Sequence, residues 1–184
     1  MNLKKIISGC KKQDPQSRAA LYNLYADDMM NICSRYTVDK NTAEDVFQDS
    51  FLRIFQKIDQ FDERKGAIGA WMARITVNQS LMAIRKQKRI DYVEEFSPVL
   101  EPITENTVED SLSAQEILEM VNGLPEGYRI IFNLYVVEGY YHNEISDMLN
   151  ISASTSRSQL ARAKALLRKL FKKSENLRVY EQSR

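Results

Sequence analysis

Few residues of this chain have the types and spacing that covalent chemistry needs. The one histidine, His142, stands outside any HExxH pattern, no GxxxxGK[ST] phosphate loop occurs, and Cys10 and Cys33 have neither CxxC nor Cys/His companions. The chain is therefore read as having no catalytic residues, no metal and no cofactor. His142 reads as a residue near a helix start, Cys10 as an incidental thiol and Cys33 as a core residue.

The chemistry that remains is ionic recognition. Between Arg157 and Lys173 there are seven Lys/Arg and no acid. Leu160, Ala163, Leu167 and Leu170 form a buried face at helical spacing, which leaves Arg157, Ala161, Lys164 and Arg168 on one stripe suited to a phosphate backbone. Upstream stand HNEISDMLN and a short turn at Ile151-Ser152, and the basic helix itself spans about Ala153 to Lys173. A short helix, a turn and a long basic helix have helix-turn-helix grammar. In that motif the first turn of the second helix meets base edges in the major groove. Ser154, Thr155, Arg157, Ser158 and Arg162 are placed for it. A merely solvated basic helix is the alternative, and the preceding short helix weighs against it.

Two further surfaces lie nearer the N-terminus. Asn41 with Glu44 resembles a capping box, and Phe47, Phe51, Ile54, Phe55 and Ile58 then make one apolar stripe. Asp45, Gln48, Asp49, Leu52 and Gln56 fall opposite, combining charge for steering with an apolar group for contact, as a protein-docking patch does. A solvated acidic face has the same composition. After a loop from Phe61 to Gly69 that includes Arg64, a third helix from about Ala70 to Gln87 sets Trp71, Ile75, Asn78 and Met82 along one side and ends in RKQKR, which includes Arg85 and Arg89. Aromatic, amide and basic groups in such a mixture suit unstacked single-stranded DNA. Trp71 nevertheless reads as core, and Asn78 equally fits a buried hydrogen-bonding residue.

The elements that position these residues are helices. Apolar residues make up 43% and charged residues 28% of 184, and six Gly with four Pro are too few for a turn-rich all-β chain. Leu21, Leu24, Tyr25, Met29, Ile32, Cys33 and Tyr36 predict an amphipathic helix ahead of the Phe stripe. In the C-terminal half, Ile117, Met120 and Val121 close one helix before Gly123; Pro125 opens the next, Ile130, Ile131, Leu134 and Tyr135 continue it, and Gly139 ends it. Between the halves, DYVEEFSPVLEPITENTVEDSL has two prolines and no base, and reads as a flexible linker.

The net charge of +1 hides an asymmetry. Residues 1–90 carry 16 Lys/Arg and 10 Asp/Glu (+6), residues 91–112 none and 7 (−7), and residues 113–184 10 and 8 (+2). A polyanion senses charge within roughly 8–10 Å, so the two basic blocks keep nucleic acid open as a partner. The expected architecture is all-α: two small helical domains, 1–90 and 113–174, joined by a flexible acidic linker at 91–112, with a C-terminal tail at 175–184. The opening MNLKKIISGCKKQDP lacks a signal peptide's apolar stretch, and no run approaches the roughly 18 apolar residues of a membrane span. A cytoplasmic protein without membrane insertion is expected.

From about residue 14 to residue 171 the chain resembles the extracytoplasmic-function sigma factors, the smallest sigma-70 type. AEDVFQDSFLRIF at Ala43–Phe55 is similar to that family's AEDxxQExF segment, and WMARITVNQSLMAIRKQKR at Trp71–Arg89 to its W-L-x-x-I-A-x-N-x-x-x-D-x-x-R-x-x-R. NEISDMLNISASTSRSQLARAKALLRKL is similar to EIAxxLxISxGTVKSRLxRARxxLR. The resemblance implies a region 2-like bundle, a region 4-like helix-turn-helix and a role in transcription initiation.

It also implies partners. Glu44, Asp45, Gln48, Asp49 and Leu52 would dock on the clamp helices of the largest subunit of core RNA polymerase, whose flap region is a second contact. Phe61, Arg64, Asn78, Arg85 and Arg89 would melt and read the promoter −10 element. Ser154, Thr155, Arg157, Ser158, Ala161, Arg162 and Lys164 would read the −35 element. An anti-sigma factor is the implied regulator, and the free chain is expected to be a monomer. The sequence departs from the family pattern at Ser154 for Gly, Ser156 for Val, Gln159 for Arg and Met82 for Asp, which leaves the promoter sequence open. A helix-turn-helix regulator that works without polymerase is the rival reading.

Overall fold

Every regular element among the described residues is helical. The computed structural model describes residues 2–37, 39–87 and 113–182, and the chain divides into two units, Met1–Arg89 and Ile90–Arg184. The segment read as a linker, 91–112, and Arg89 lie outside the described residues.

The first unit contains α1 (Leu3–Lys11), α2 (Pro15–Tyr36), α3 (Lys40–Lys57) and α4 (Ile68–Gln87). Helix α1 was not foreseen. Asn2 caps it by accepting from Lys4 N at 3.0 Å, and Ile6 and Cys10, one turn apart, are buried against the bundle. Cys10 is therefore a core residue rather than an incidental thiol. Gln13 in the left-handed region (φ 62°) turns the chain back, and Asp14 caps α2 by accepting from Ser17 N at 2.8 Å. Gly9 is obligatory at this corner, because a Cβ there would collide with Ser17 Oγ.

Helices α2, α3 and α4 pack on one another. The Phe stripe faces inward as expected: Phe47, Phe51, Ile54 and Ile58 are buried, and Tyr22 of α2 meets the Phe51 ring at 4.7 Å. The cap of α3 is Asp39 rather than Asn41. Its carboxylate accepts from Thr42 N at 2.8 Å and from Thr42 Oγ1 at 2.7 Å, a stronger arrangement than an amide two residues further in would give. Leu24, expected in the core, is 57% exposed, because α3 and α4 cover only the Leu21, Met29 and Ile32 side of α2.

The second unit contains α5 (Ala114–Asn122), α6 (Glu126–Phe132), α7 (His142–Leu149) and α8 (Ala153–Gln182). Ser113 and Glu116 form a reciprocal capping box on α5. Pro125 precedes α6 as its cap, and α6 runs into a π-helical turn, Asn133–Val137, before Gly139 at φ 78° stops the chain. Asn150, at φ 54°, then makes the left-handed corner between α7 and α8. Ile130, Ile131, Leu134, Ile145 and Ala163 make the core over which α6, α7 and α8 cross. The last helix continues to Gln182, past the Lys173 end expected for it and through the stretch read as a tail. No Gly or Pro lies between Ala153 and Gln182 to stop it.

Candidate functional site

On α3 the geometry separates two faces cleanly. While the Phe side chains point into the bundle, Asp45, Gln48, Asp49 and Gln56 are exposed and Leu52 is 61% exposed among them. Glu44 is half-buried and lies 3.6 Å from Lys40 Nζ one turn earlier. The face thus presents two exposed carboxylates beside the half-buried Glu44, two amides and one solvent-facing leucine. The exposed Leu24, which helical spacing had assigned to the core, and the partly exposed Tyr22 of α2 add apolar surface. No local signal marks Leu24 as outward, because it stands three residues from the buried Leu21.

Between α3 and α4 the chain makes two 3₁₀ turns, Ile58–Gln60 and Glu63–Lys65. Phe61 separates them and is only 6% exposed, its ring 5.6 Å from that of Trp71. Phe61 is therefore no surface platform for a base, as the sequence had suggested; it is the large apolar side chain between the two turns, and burial against Trp71 holds it there. Asp62 caps the second turn, accepting from Arg64 N at 3.1 Å, Arg64 Nε at 3.0 Å and Arg64 Nη2 at 3.0 Å. Those bonds to Arg64 hold the Asp62 carboxyl below its ordinary range and raise Arg64 correspondingly. The guanidinium remains exposed.

On α4, Ile68, Met72, Val77, Leu81 and Ile84 face the core, so the row Trp71, Ile75, Asn78 and Met82 lies on the outer half, with Asn78 and Met82 exposed. Asn78 is thus not a buried hydrogen-bonding residue, although its Nδ2 donates back to the Arg74 carbonyl at 2.8 Å. Arg85 is exposed at the end of the helix.

In the second unit, Ser152 caps α8: its hydroxyl accepts from Thr155 N at 2.9 Å and lies 2.8 Å from Thr155 Oγ1. Thr155 is thereby partly committed to the turn. Ser154, Arg157, Ser158, Ala161, Lys164 and Arg168 are exposed, and Arg162 is half-buried. Ser156 and Gln159 face inward, Gln159 being 3% exposed, so these two departures from the family pattern act inside the unit. Ser156 Oγ lies 2.8 Å from His142 Nδ1, and the His142 ring stacks on Tyr135 at 4.4 Å. Burial first, then Arg157 and Lys164, depress the His142 pKa, so the neutral ring is favoured.

A family model described as sigma-70 region 2 matches residues 21–90, and one described as sigma-70, region 4 matches residues 114–167. The chain is 28% identical over 181 residues to the ECF RNA polymerase sigma factor SigW of Bacillus subtilis, covering 92% of this chain and 96% of that protein. SigM of the same species is 28% identical over 160 residues, covering 85% and 96%. The chain belongs to the extracytoplasmic-function group of the sigma-70 family. It is an RNA polymerase sigma factor, and a regulator independent of polymerase is not favoured.

The fold of this sigma factor is shared with solved relatives. The sigma factor RpoE of Bartonella quintana, solved with the anti-sigma factor NepR, aligns with a TM-score of 0.54 at 21% identity over 84% of this chain and 96% of that one. CnrH, solved with the cytosolic domain of CnrY, aligns with a TM-score of 0.50 at 17% identity over 91% and 95%. In this sigma factor α3, the turns after it and α4 fall within the region 2 match, and α7, the corner after it and the first half of α8 fall within the region 4 match. Among the described residues no helix is long and apolar enough to cross a membrane.

Proposed function

We propose that the sigma factor divides its work among three surfaces. The α3 face built from Glu44, Asp45, Gln48, Asp49 and Leu52 docks on the clamp helices of core polymerase. The loop around Arg64 and the outer side of α4, with Asn78 and Arg85, engages the unpaired −10 element, and Arg89 joins them. Phe61 acts from inside by holding that loop on Trp71. The first turns of α8, through Ser154, Thr155, Arg157, Ser158, Ala161, Arg162 and Lys164, enter the major groove at the −35 element. The functional domains are then 1–90 and 113–174, and the second also meets the flap region of polymerase.

The supporting observation is the α3 face, where an exposed leucine sits among exposed carboxylates on a helix whose other side is fully used by the core. A DNA-binding module acting alone has no use for such a face. The protein performs no bond chemistry. Polymerase supplies catalysis, and trapping flipped bases offsets an unstacking cost of a few kcal/mol. It works in the cytoplasm, and the free protein is a monomer. Two structural neighbours are bound to an anti-sigma factor or to the cytosolic domain of another protein, which supports an anti-sigma partner here as well.

The test is the double variant Asp45→Lys with Asp49→Lys. Affinity for core polymerase should fall at least tenfold, with run-off transcription falling in parallel and the helical spectrum and Tm unchanged. Unchanged affinity would remove the α3 assignment.

A further inference from the structure

We infer that α1 is a brace for promoter specificity, with Lys11 fixing the shape of the loop that meets the −10 element. The inference rests on the loop assignment proposed above. The ammonium of Lys11 donates to the Phe61 carbonyl oxygen at 2.8 Å across fifty positions of sequence, and Lys4 Nζ lies 3.3 Å from Glu63 Oε2. The Phe61 ring is held on its other side by Trp71 at 5.6 Å. The loop is thus clamped at one residue by its backbone and by its side chain together. Beyond the clamp, Asp62 gathers the three N–H groups of Arg64 described above, which sets where the guanidinium stands. Gly66, at φ 144°, has no atom near its Cβ position, so the tip beyond is open to a ligand.

A loop of two short turns has few hydrogen bonds of its own, and any freedom it retains must be lost when it closes on unpaired bases. A rigid neighbour removes that cost beforehand. Helix α1 qualifies because Gly9 lets it approach Ser17 closely and because Ile6 and Cys10 seat it on the bundle. Residues 3–12 also hold four lysines and no acid, so α1 offsets the acids Asp59, Asp62 and Glu63 of the loop where DNA phosphates would arrive. Helix α1 precedes the stretch matched by the region 2 model, which begins at residue 21. Lys11 is a positioning residue, since it acts on DNA only through the Phe61 backbone.

The experiment is run-off transcription by reconstituted holoenzyme on templates randomised across the −10 element. Wild type is compared with Lys11→Met, which keeps the stem and loses the donor, with Lys11→Arg, which keeps a donor, and with the loop variant Arg64→Ala. Core polymerase affinity and Tm are measured for each. A charged donor on a carbonyl is worth enough that Lys11→Met should reduce the ratio of preferred to random templates about fivefold to tenfold, with core affinity unchanged and Lys11→Arg close to wild type. If Arg64→Ala changes the base preference and Lys11→Met does not, the brace is overturned and the loop assignment stands. If neither variant changes it, the loop assignment falls and the brace with it. A Lys11→Met loss that is equal on every template and follows Tm would make α1 structural only and would also overturn the inference.

Discussion

His142 Nδ1 lies 2.8 Å from Ser156 Oγ, so the first residue of α7 is bonded to the first turns of α8. The bond crosses the helix-turn-helix and helps set the angle at which Arg157 and Ser158 leave the protein. Ser156 is one of the departures from the family pattern noted above, and the Val of that pattern has no hydroxyl to offer.

The burial of His142, with Arg157 and Lys164 nearby, carries a pH dependence. The folded His142 pKa is below its usual 6.5, so between the two values the unfolded chain binds more protons than the folded one. Stability should be fully present above about pH 6.5 and decline as the pH is lowered through the folded value. Thermal melts from pH 8 to pH 5 should show this decline in wild type and a shallower one in His142→Phe, which keeps a ring on Tyr135 but has nothing to protonate. Identical profiles would remove His142 from the account.

The salt dependence of DNA binding tests the outward stripe of α8. Each phosphate contact contributes about 0.9 to the slope of log K against log salt. Lys164→Ala and Arg168→Ala should each reduce the slope for a −35 duplex by about 1, with little change in sequence preference. Arg157→Ala, in the first turns, should instead relax base preference at one or two positions. A uniform effect from all three would place the helix across the backbone rather than in the groove.

The two thiols should be inert in the folded protein. Burial pushes Cys33 up to about 11 and raises Cys10 as well, and both side chains are enclosed. At pH 8 a disulfide reagent should modify them no faster than the first unit unfolds, and urea should accelerate both together. Rapid stoichiometric reaction without denaturant would contradict the packing of α1 on the bundle.

The Phe stripe should dominate the stability of the first unit. Phe51 touches Tyr22, Phe47 and Phe55, with ring centroids 4.7, 5.0 and 5.9 Å away. Phe51→Ala should cost about 3–5 kcal/mol in urea unfolding, whereas Leu52→Ala, one residue on and facing solvent, should change stability little and polymerase affinity much.

Much of the candidate site was legible because helical period is local. The three-and-four spacing of Phe47, Phe51 and Ile54 fixed the outward position of Asp45, Asp49 and Leu52 without any knowledge of α2 or α4. The same holds for α8, where Leu160 and Ala163 inside imply Arg157, Ala161 and Lys164 outside. The motif spacing of the two blocks was equally local, and it was enough to point to the family.

What period does not encode is how wide an arc of a helix its neighbours cover. Leu24 satisfies the period of α2 yet lies in solvent, because the arc covered by α3 and α4 stops short of it. Gln159 and Ser156 carry polar groups, yet both are buried within the second unit, Ser156 against His142 of α7. Phe61 and Lys11 belong to no periodic stretch. Their contact joins segments fifty residues apart, and a bond of that reach exists only after α1 has docked.

The sequence by itself thus determined the periodic helices after α1, most of their faces and the family, each being a property of neighbours along the chain. The tertiary structure alone decided that α1 docks with Lys11 on the Phe61 carbonyl, that Phe61 packs on Trp71 instead of lying on the surface, and that His142 meets Ser156 across the helix-turn-helix. These rest on side chains that meet through docking, and the free energy of docking depends on both partners at once.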